Sequence, residues 1–157
     1  EEGGREKLIP IRDGDDWGFP CCYGRDLPEV ANQDCSMITP EDVAFLIGDT
    51  PFAFDFELNK WPSPYTGSIF VPLHGAAGNW KGARIVAVAT DASTGLPVRG
   101  SDLLMSNAGG ISDFATGWDD GTLNHGRPAA ITFAADGRMF VGNDNDGSIF
   151  WIAPLNL

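Results

Sequence analysis

Asn124-His125-Gly126-Arg127-Pro128 leads through Ile131-Thr132-Phe133-Ala134, Asp136-Gly137, Met139-Phe140-Val141 and Asp146-Gly147 to Ile149-Phe150-Trp151-Ile152. Three short apolar runs are thus separated by two Asp-Gly turns. Asp-Gly readily takes the positive φ that tight turns between antiparallel strands demand, so the stretch reads as an up-and-down meander. It has the form of one blade of a β-propeller. Arg127 sits where a loop enters the first strand and is expected to point into a central channel. A guanidinium fixed there can hold a carboxylate through paired hydrogen bonds. The plainer role is a salt bridge on an acidic surface.

Working upstream, Gly67–Leu73 reads as a strand ending at His74-Gly75, and Arg84–Thr90 as a second strand. Asp91–Pro97 is a turn, and a polar loop over 98–112 leads to an extended Asp113–Trp118. Gly67-Ser68-Ile69-Phe70 recurs as Gly147-Ser148-Ile149-Phe150, a spacing of 80 residues, about two propeller repeats of roughly 40 each. Nearer the start, Leu8–Ile11 reads as the end of a strand and Trp17–Gly24 as irregular, packed backbone. Thr39 as N-cap, Pro40 in the first helical position and Glu41-Asp42 in the first turn predict a short helix over 39–46.

A chain of 157 residues has room for one domain with a substantial core. Its 20 glycines and 11 prolines fall between short apolar runs, which favours strands and turns over long helices. A formal charge of −12 argues against nucleic acid or an anionic membrane as partner, because both demand a basic face. No apolar run approaches the roughly 20 residues of a membrane-spanning helix.

Cys21 and Cys22 are adjacent, and Cys35 follows thirteen residues after Cys22. Either Cys22–Cys35 or Cys21–Cys35 would close a small loop, and a bond of this kind contributes about 2–4 kcal/mol. The pair Cys22–Cys35 is taken as the working assignment. One thiol is then left over, Cys21, either buried and free or joined to another chain. The opening Glu1-Glu2-Gly3-Gly4-Arg5 has no initiator Met and suits a mature chain cut from a precursor.

His74, at a strand end, is a candidate ligand contact or proton carrier, and His125 shares the neighbourhood of Arg127. Two histidines and an arginine do not make a zinc site. Asp144-Asn145-Asp146-Gly147 mimics part of a calcium loop. With Gly147 as its central glycine, however, the first and twelfth ligand positions fall on Gly142 and Ala153, so it reads as a turn. No nucleophile elbow, phosphate loop or dinucleotide fingerprint is present.

Gly67–Gly75, Gly126-Arg127-Pro128, Asp136–Val141 and Asp146–Ile152 together resemble the glucose/sorbosone dehydrogenase family, the soluble quinoprotein sugar dehydrogenases that include the fungal pyranose dehydrogenases. Trp17-Gly18-Phe19-Pro20 is similar to that family's Tyr-Gly-Trp-Pro, and the order of the pieces agrees over nearly the whole chain. The resemblance implies an all-β fold, a six-bladed β-propeller binding pyrroloquinoline quinone (PQQ) with calcium. The quinone takes a hydride from sugar C1 while a histidine acts as general base. It further implies that His74 contacts the quinone, that Arg127 binds one of its carboxylates and that His125 lies beside it.

The resemblance of residues 1–157 is to the C-terminal portion of that family's domain only, which implies about two to three blades of four-stranded antiparallel sheet. The family's catalytic histidine and calcium-binding backbone lie upstream, so no catalytic residue is expected here and the calcium site belongs mostly outside the chain. The implied partner is the N-terminal chain of the same precursor, held non-covalently or through Cys21. The family's His-Gly-Ser-Trp is replaced by His74-Gly75-Ala76-Ala77-Gly78-Asn79-Trp80, an insertion beside the site. The alternative is a propeller without redox chemistry, a carbohydrate- or protein-binding module using Trp80 and neighbouring aromatics. No Asn-x-Ser/Thr sequon is present, so expected secretion rests on the cysteines and the resemblance.

Overall fold

The computed structural model describes residues 5–23, 27–75, 82–98, 101–102, 110–119 and 125–155. Trp80 and its insertion lie outside these residues, as does Asn124. The described residues are all-β, with no helix. The strands are β1 (Arg5–Leu8), β2 (Cys22–Tyr23), β3 (Leu27–Pro28), β4 (Val43–Leu46), β5 (Asp55–Phe56) and β6 (Ile69–Leu73). They continue with β7 (Arg84–Val88), β8 (Ser101–Asp102), β9 (Ile111–Ala115), β10 (Pro128–Phe133), β11 (Met139–Asn143) and β12 (Ile149–Ile152).

β5, β6, β7 and β9 form a four-stranded antiparallel meander, and β10, β11 and β12 a three-stranded one. A third sheet, β1-β4-β8, includes a parallel pair, β4 with β8, and β2 pairs with β3 as a small ribbon. None of the sheets closes on itself. Their face-to-face arrangement is that of a partial β-propeller.

The period-two alternation of β6 and β7 makes this stacking possible. Phe70, Ile85 and Ala87 face one side, where Ile131, Phe133, Met139 and Val141 of the neighbouring blade meet them around Trp61. Ile69, Val71, Leu73, Val86 and Val88 face the other side, against Val43 and Phe45. Both faces of the four-stranded sheet are therefore covered, and β6 is buried along its whole length. Asp55 Oδ2 accepts the Phe133 N–H at 2.8 Å, a polar pin between the first strands of the two blades.

The opening meander matches its sequence, turning at Gly137 (φ 92°) and Gly147 (φ 73°). Four expectations need correction. The helix over 39–46 is absent: residues 43–46 are β4, in which Val43, Ala44 and Phe45 are fully buried between β1 and β8. Tertiary burial on both faces outweighed a capping signal worth only about 1 kcal/mol. β9 begins at Ile111, inside the expected polar loop, and β8 also lies in that loop. Trp17–Gly24 is not wholly irregular, since Cys22-Tyr23 is β2.

The Gly-Ser-Ile-Phe echo is not a blade repeat. β6 is the second strand of its sheet and β12 the third, with Ile69 buried but Ile149 74% exposed. What the two copies share is a left-handed glycine at a strand entry, Gly67 (φ 69°) and Gly147 (φ 73°).

Cys22 and Cys35 form the disulfide, leaving Cys21 exposed. The reason is directional: Cys22 is buried in β2 facing Cys35, whereas the neighbouring side chain points outward.

Candidate functional site

The antiparallel registers bring one end of both blades together. The C-terminal end of β6 carries His74, the residue before β10 is Arg127, and the residue after β11 is Asp144. His74 is buried, with its ring stacked on Phe52 at 5.0 Å between centroids. Its backbone N–H donates to Thr50 O at 3.0 Å, and Gly75 N–H to Asp49 O at 2.9 Å. Thr50 takes a left-handed φ of 51°, uncommon for a β-branched residue, to present that carbonyl.

His74 Nε2 lies 2.7 Å from Asp144 Oδ2, and Nδ1 lies 2.5 Å from an Arg127 guanidinium nitrogen. The same nitrogen donates to Gly75 O at 3.5 Å, while the other terminal nitrogen is 4.0 Å from Asp144 Oδ1. Side chains from two different sheets, 53 residues apart in sequence, are thereby joined directly.

The Arg127 backbone is equally determined. Its N–H donates to Asn143 Oδ1 at 2.6 Å, and its carbonyl accepts the Asp144 N–H at 3.0 Å. Asn143 in turn donates to Asp146 Oδ1 at 2.9 Å. The Ser148 hydroxyl and backbone N–H beside Asp146 hold its carboxyl below the usual aspartate value. Gly126 is required where it stands, because a Cβ added there would lie 2.5 Å from the Trp118 ring. His125 is exposed, with its backbone N–H donating to Trp118 O at 2.8 Å.

Below this cluster, Arg84 fastens the start of β7. It meets Asp49 at 3.2 Å and Asp113 at 3.0 Å, and donates to Gly82 O at 2.9 Å. Asp49 is buried, so its pairing with Arg84 also satisfies a carboxylate held away from water. The Asp49 carbonyl reaches Gly75, which links this ion pair to the backbone beside His74.

Of the residues singled out from sequence, His74 and Arg127 come into contact, and His125 stands two residues from Arg127. Asp144, Phe52 and Asn143 were missed. Asp144 had a legible signal: a meander turning at Asp136-Gly137 brings the end of β11 opposite the start of β10, and Pro128 pairs with Asn143. Among the described residues, no group of three His, Cys, Asp or Glu side chains is arranged to hold a metal ion.

Comparison with family models, with curated proteins and with solved structures finds no match to this chain.

The cluster's chemistry sets what it could bind. A guanidinium presents five donors in a fixed fork, so it can serve His74 and still receive a carboxylate. Arg127 is part-buried, with its side chain 15% exposed, in a position where such a bond is partly shielded from water. A carboxylate is the ligand class that such a donor suits, and because the Asp144 charge offsets that of Arg127, a ligand with several carboxylates needs cations from beyond this pair.

Proposed function

We propose that this chain supplies the C-terminal blades of a secreted quinoprotein sugar dehydrogenase, which oxidises sugar C1 by hydride transfer to PQQ in the presence of calcium. The observation that carries the reading is the His74–Arg127 contact: the two residues that the resemblance assigns to the cofactor meet across two sheets at one blade end. When bound, PQQ supplies the two-electron acceptor that protein side chains lack. Arg127 would hold one of its carboxylates, with His74 orienting the guanidinium and His125 alongside. Both ring nitrogens of His74 are engaged, by Asp144 and Arg127, so proton abstraction from the sugar falls to a base outside this cluster.

Titrating the complete assembly with PQQ and calcium tests the reading, with protection against heat and dye reduction by aldoses as readouts. Arg127→Ala is expected to weaken PQQ binding at least about tenfold, the effect of losing one charge-assisted hydrogen bond. Absence of both PQQ-dependent protection and activity would overturn the proposal.

The engaged imidazole also favours a second reading, a carbohydrate- or protein-binding propeller without redox chemistry. Sugar binding without PQQ-dependent turnover would select it.

The proposed partner is the N-terminal chain of the same precursor, covering the outer face of β10–β12. There Ile149 and Trp151 are 74% and 55% exposed, and the exposed Cys21 is available for a covalent link. Intact mass and solution size, reduced and non-reduced, are expected to reveal a second chain. A single monomeric species of 16.8 kDa under both conditions would sink this proposal.

A further inference from the structure

The His74 ring lies between a group that only donates and a group that accepts. A guanidinium has no lone pair to offer, so the ring nitrogen facing Arg127 must be an acceptor. Nδ1 is therefore unprotonated, the imidazole proton sits on Nε2, and it is donated to the Asp144 carboxylate 2.7 Å away. Placing a proton on Nδ1 would set two N–H groups against each other. One tautomer alone is compatible with the contacts, and Arg127 and Asp144 select it together from opposite sides of the ring.

We propose that Asp144 is the positioning residue of this site. By accepting from Nε2–H, it holds the His74 ring with its Nδ1 lone pair toward Arg127, and so aims the guanidinium at an anionic carboxylate ligand. The order of action runs from carboxylate to imidazole to guanidinium, and each member has independent support. Phe52 stacks on the ring, which holds its plane. The Thr50 carbonyl holds the backbone of His74, and Asn143 that of Arg127. The Asp144 N–H bonds to the Arg127 carbonyl, so the carboxylate that holds Nε2–H is tied to the arginine it serves. His74 thus has the arrangement of a carboxylate-oriented histidine, but its second nitrogen is spent on arginine and not on a substrate proton.

The identity of the carboxylate ligand as PQQ rests on the function proposed above; the tautomer does not. The test therefore has two arms. In the first, the assembly carrying 15N-labelled histidine is studied by long-range 15N–1H NMR without any cofactor. His74 is expected to show a protonated Nε2 and a lone-pair Nδ1. Asp144→Ala is expected to weaken that single-tautomer signature, and Asp144→Asn, whose amide oxygen can still accept from Nε2–H, to restore it. Asp144 is 44% exposed in a turn, so neither variant threatens the core. A protonated Nδ1 in the unaltered protein, or a signature unchanged in Asp144→Ala, would overturn the proposal.

In the second arm PQQ is the probe. Asp144→Asn, which lacks the opposing charge but keeps an acceptor for Nε2–H, is expected to bind it about two- to tenfold more tightly than Asp144→Ala, the effect of one hydrogen bond. His74→Asn, which keeps an acceptor near the Nδ1 position, is expected to bind better than His74→Ala. Equal binding by Asp144→Ala and Asp144→Asn would overturn the positioning role. The expected tautomer with no PQQ binding by any form would instead overturn the quinoprotein reading and leave the positioning of Arg127 standing.

Discussion

Glu57→Ala is expected to destabilise the assembly by about 3–5 kcal/mol, because it removes a buried carboxylate that several backbone donors share. Glu57 is 3% exposed. Its Oε1 accepts the N–H of Lys60 at 2.5 Å and of Trp61 at 2.8 Å, and its Oε2 the N–H of Asn59 at 2.9 Å and of Gly67 at 2.6 Å. One side chain thereby closes the loop between β5 and β6, drawing both ends of the 59–67 segment onto a single anion. No regular ladder can satisfy these donors, since the segment turns back on itself through the left-handed Asn59 and Gly67. Glu57→Gln is the sharper variant. It keeps the volume but turns an amide NH2 toward backbone donors, and about 2–4 kcal/mol of loss is expected. Urea unfolding of the two variants against the unaltered protein measures both. A Gln variant within about 0.5 kcal/mol of the parent would show that this carboxylate does not organise the loop.

The second large effect is expected at Trp61, four residues further along that loop. Its ring is 5% exposed and meets Phe70 at 5.2 Å, Phe114 at 5.3 Å and Phe133 at 5.5 Å between centroids. The indole N–H donates to Gly137 O at 2.7 Å, in the turn of the neighbouring blade. Trp61 therefore fills the interface between two sheets and hydrogen-bonds across it. Trp61→Ala is expected to cost about 3–5 kcal/mol through the cavity it leaves, and Trp61→Phe about 1–2 kcal/mol through the carbonyl left without its partner. The effect should reach the functional end of the blades. His74 belongs to one sheet and Arg127 to the other, so their contact depends on blade spacing. Loss of the single His74 tautomer in Trp61→Ala, measured by the same NMR signature, is the expected sign of that coupling. Equal stability of Trp61→Ala and the parent would show that other contacts hold the blades together.

These two residues also mark the limit of sequence reading. The segment over 52–65 carries no clear period, because beyond the two residues of β5 its order comes from a side-chain anion and an aromatic cluster. Its importance became visible only when Glu57 and Trp61 were seen buried. The same limit explains the missing helix. Thr39-Pro40-Glu41-Asp42 is a sound local start signal, but Val43, Ala44 and Phe45 are apolar without interruption, and burial between two strands outweighed the cap. The repeated Gly-Ser-Ile-Phe erred in the opposite direction, since a shared turn conformation produced identity without structural equivalence.

Asn124–Ile152 determined on its own the three-stranded meander, its two glycine turns and the position of Arg127 at a strand mouth. Such features follow from contacts between residues close along the chain, namely Asp-Gly turn geometry and alternation with period two. The spacing of the cysteines likewise allowed a loop closed by Cys35. Tertiary structure decided which of Cys21 and Cys22 closes it, and that 43–46 extends as a strand. It also decided that His74, Arg127 and Asp144 form one hydrogen-bonded series. The physical reason is range. Turn chemistry and alternation act over a few residues, whereas the His74–Arg127 contact spans 53 positions and exists only because an aromatic interface holds two blades at one fixed separation.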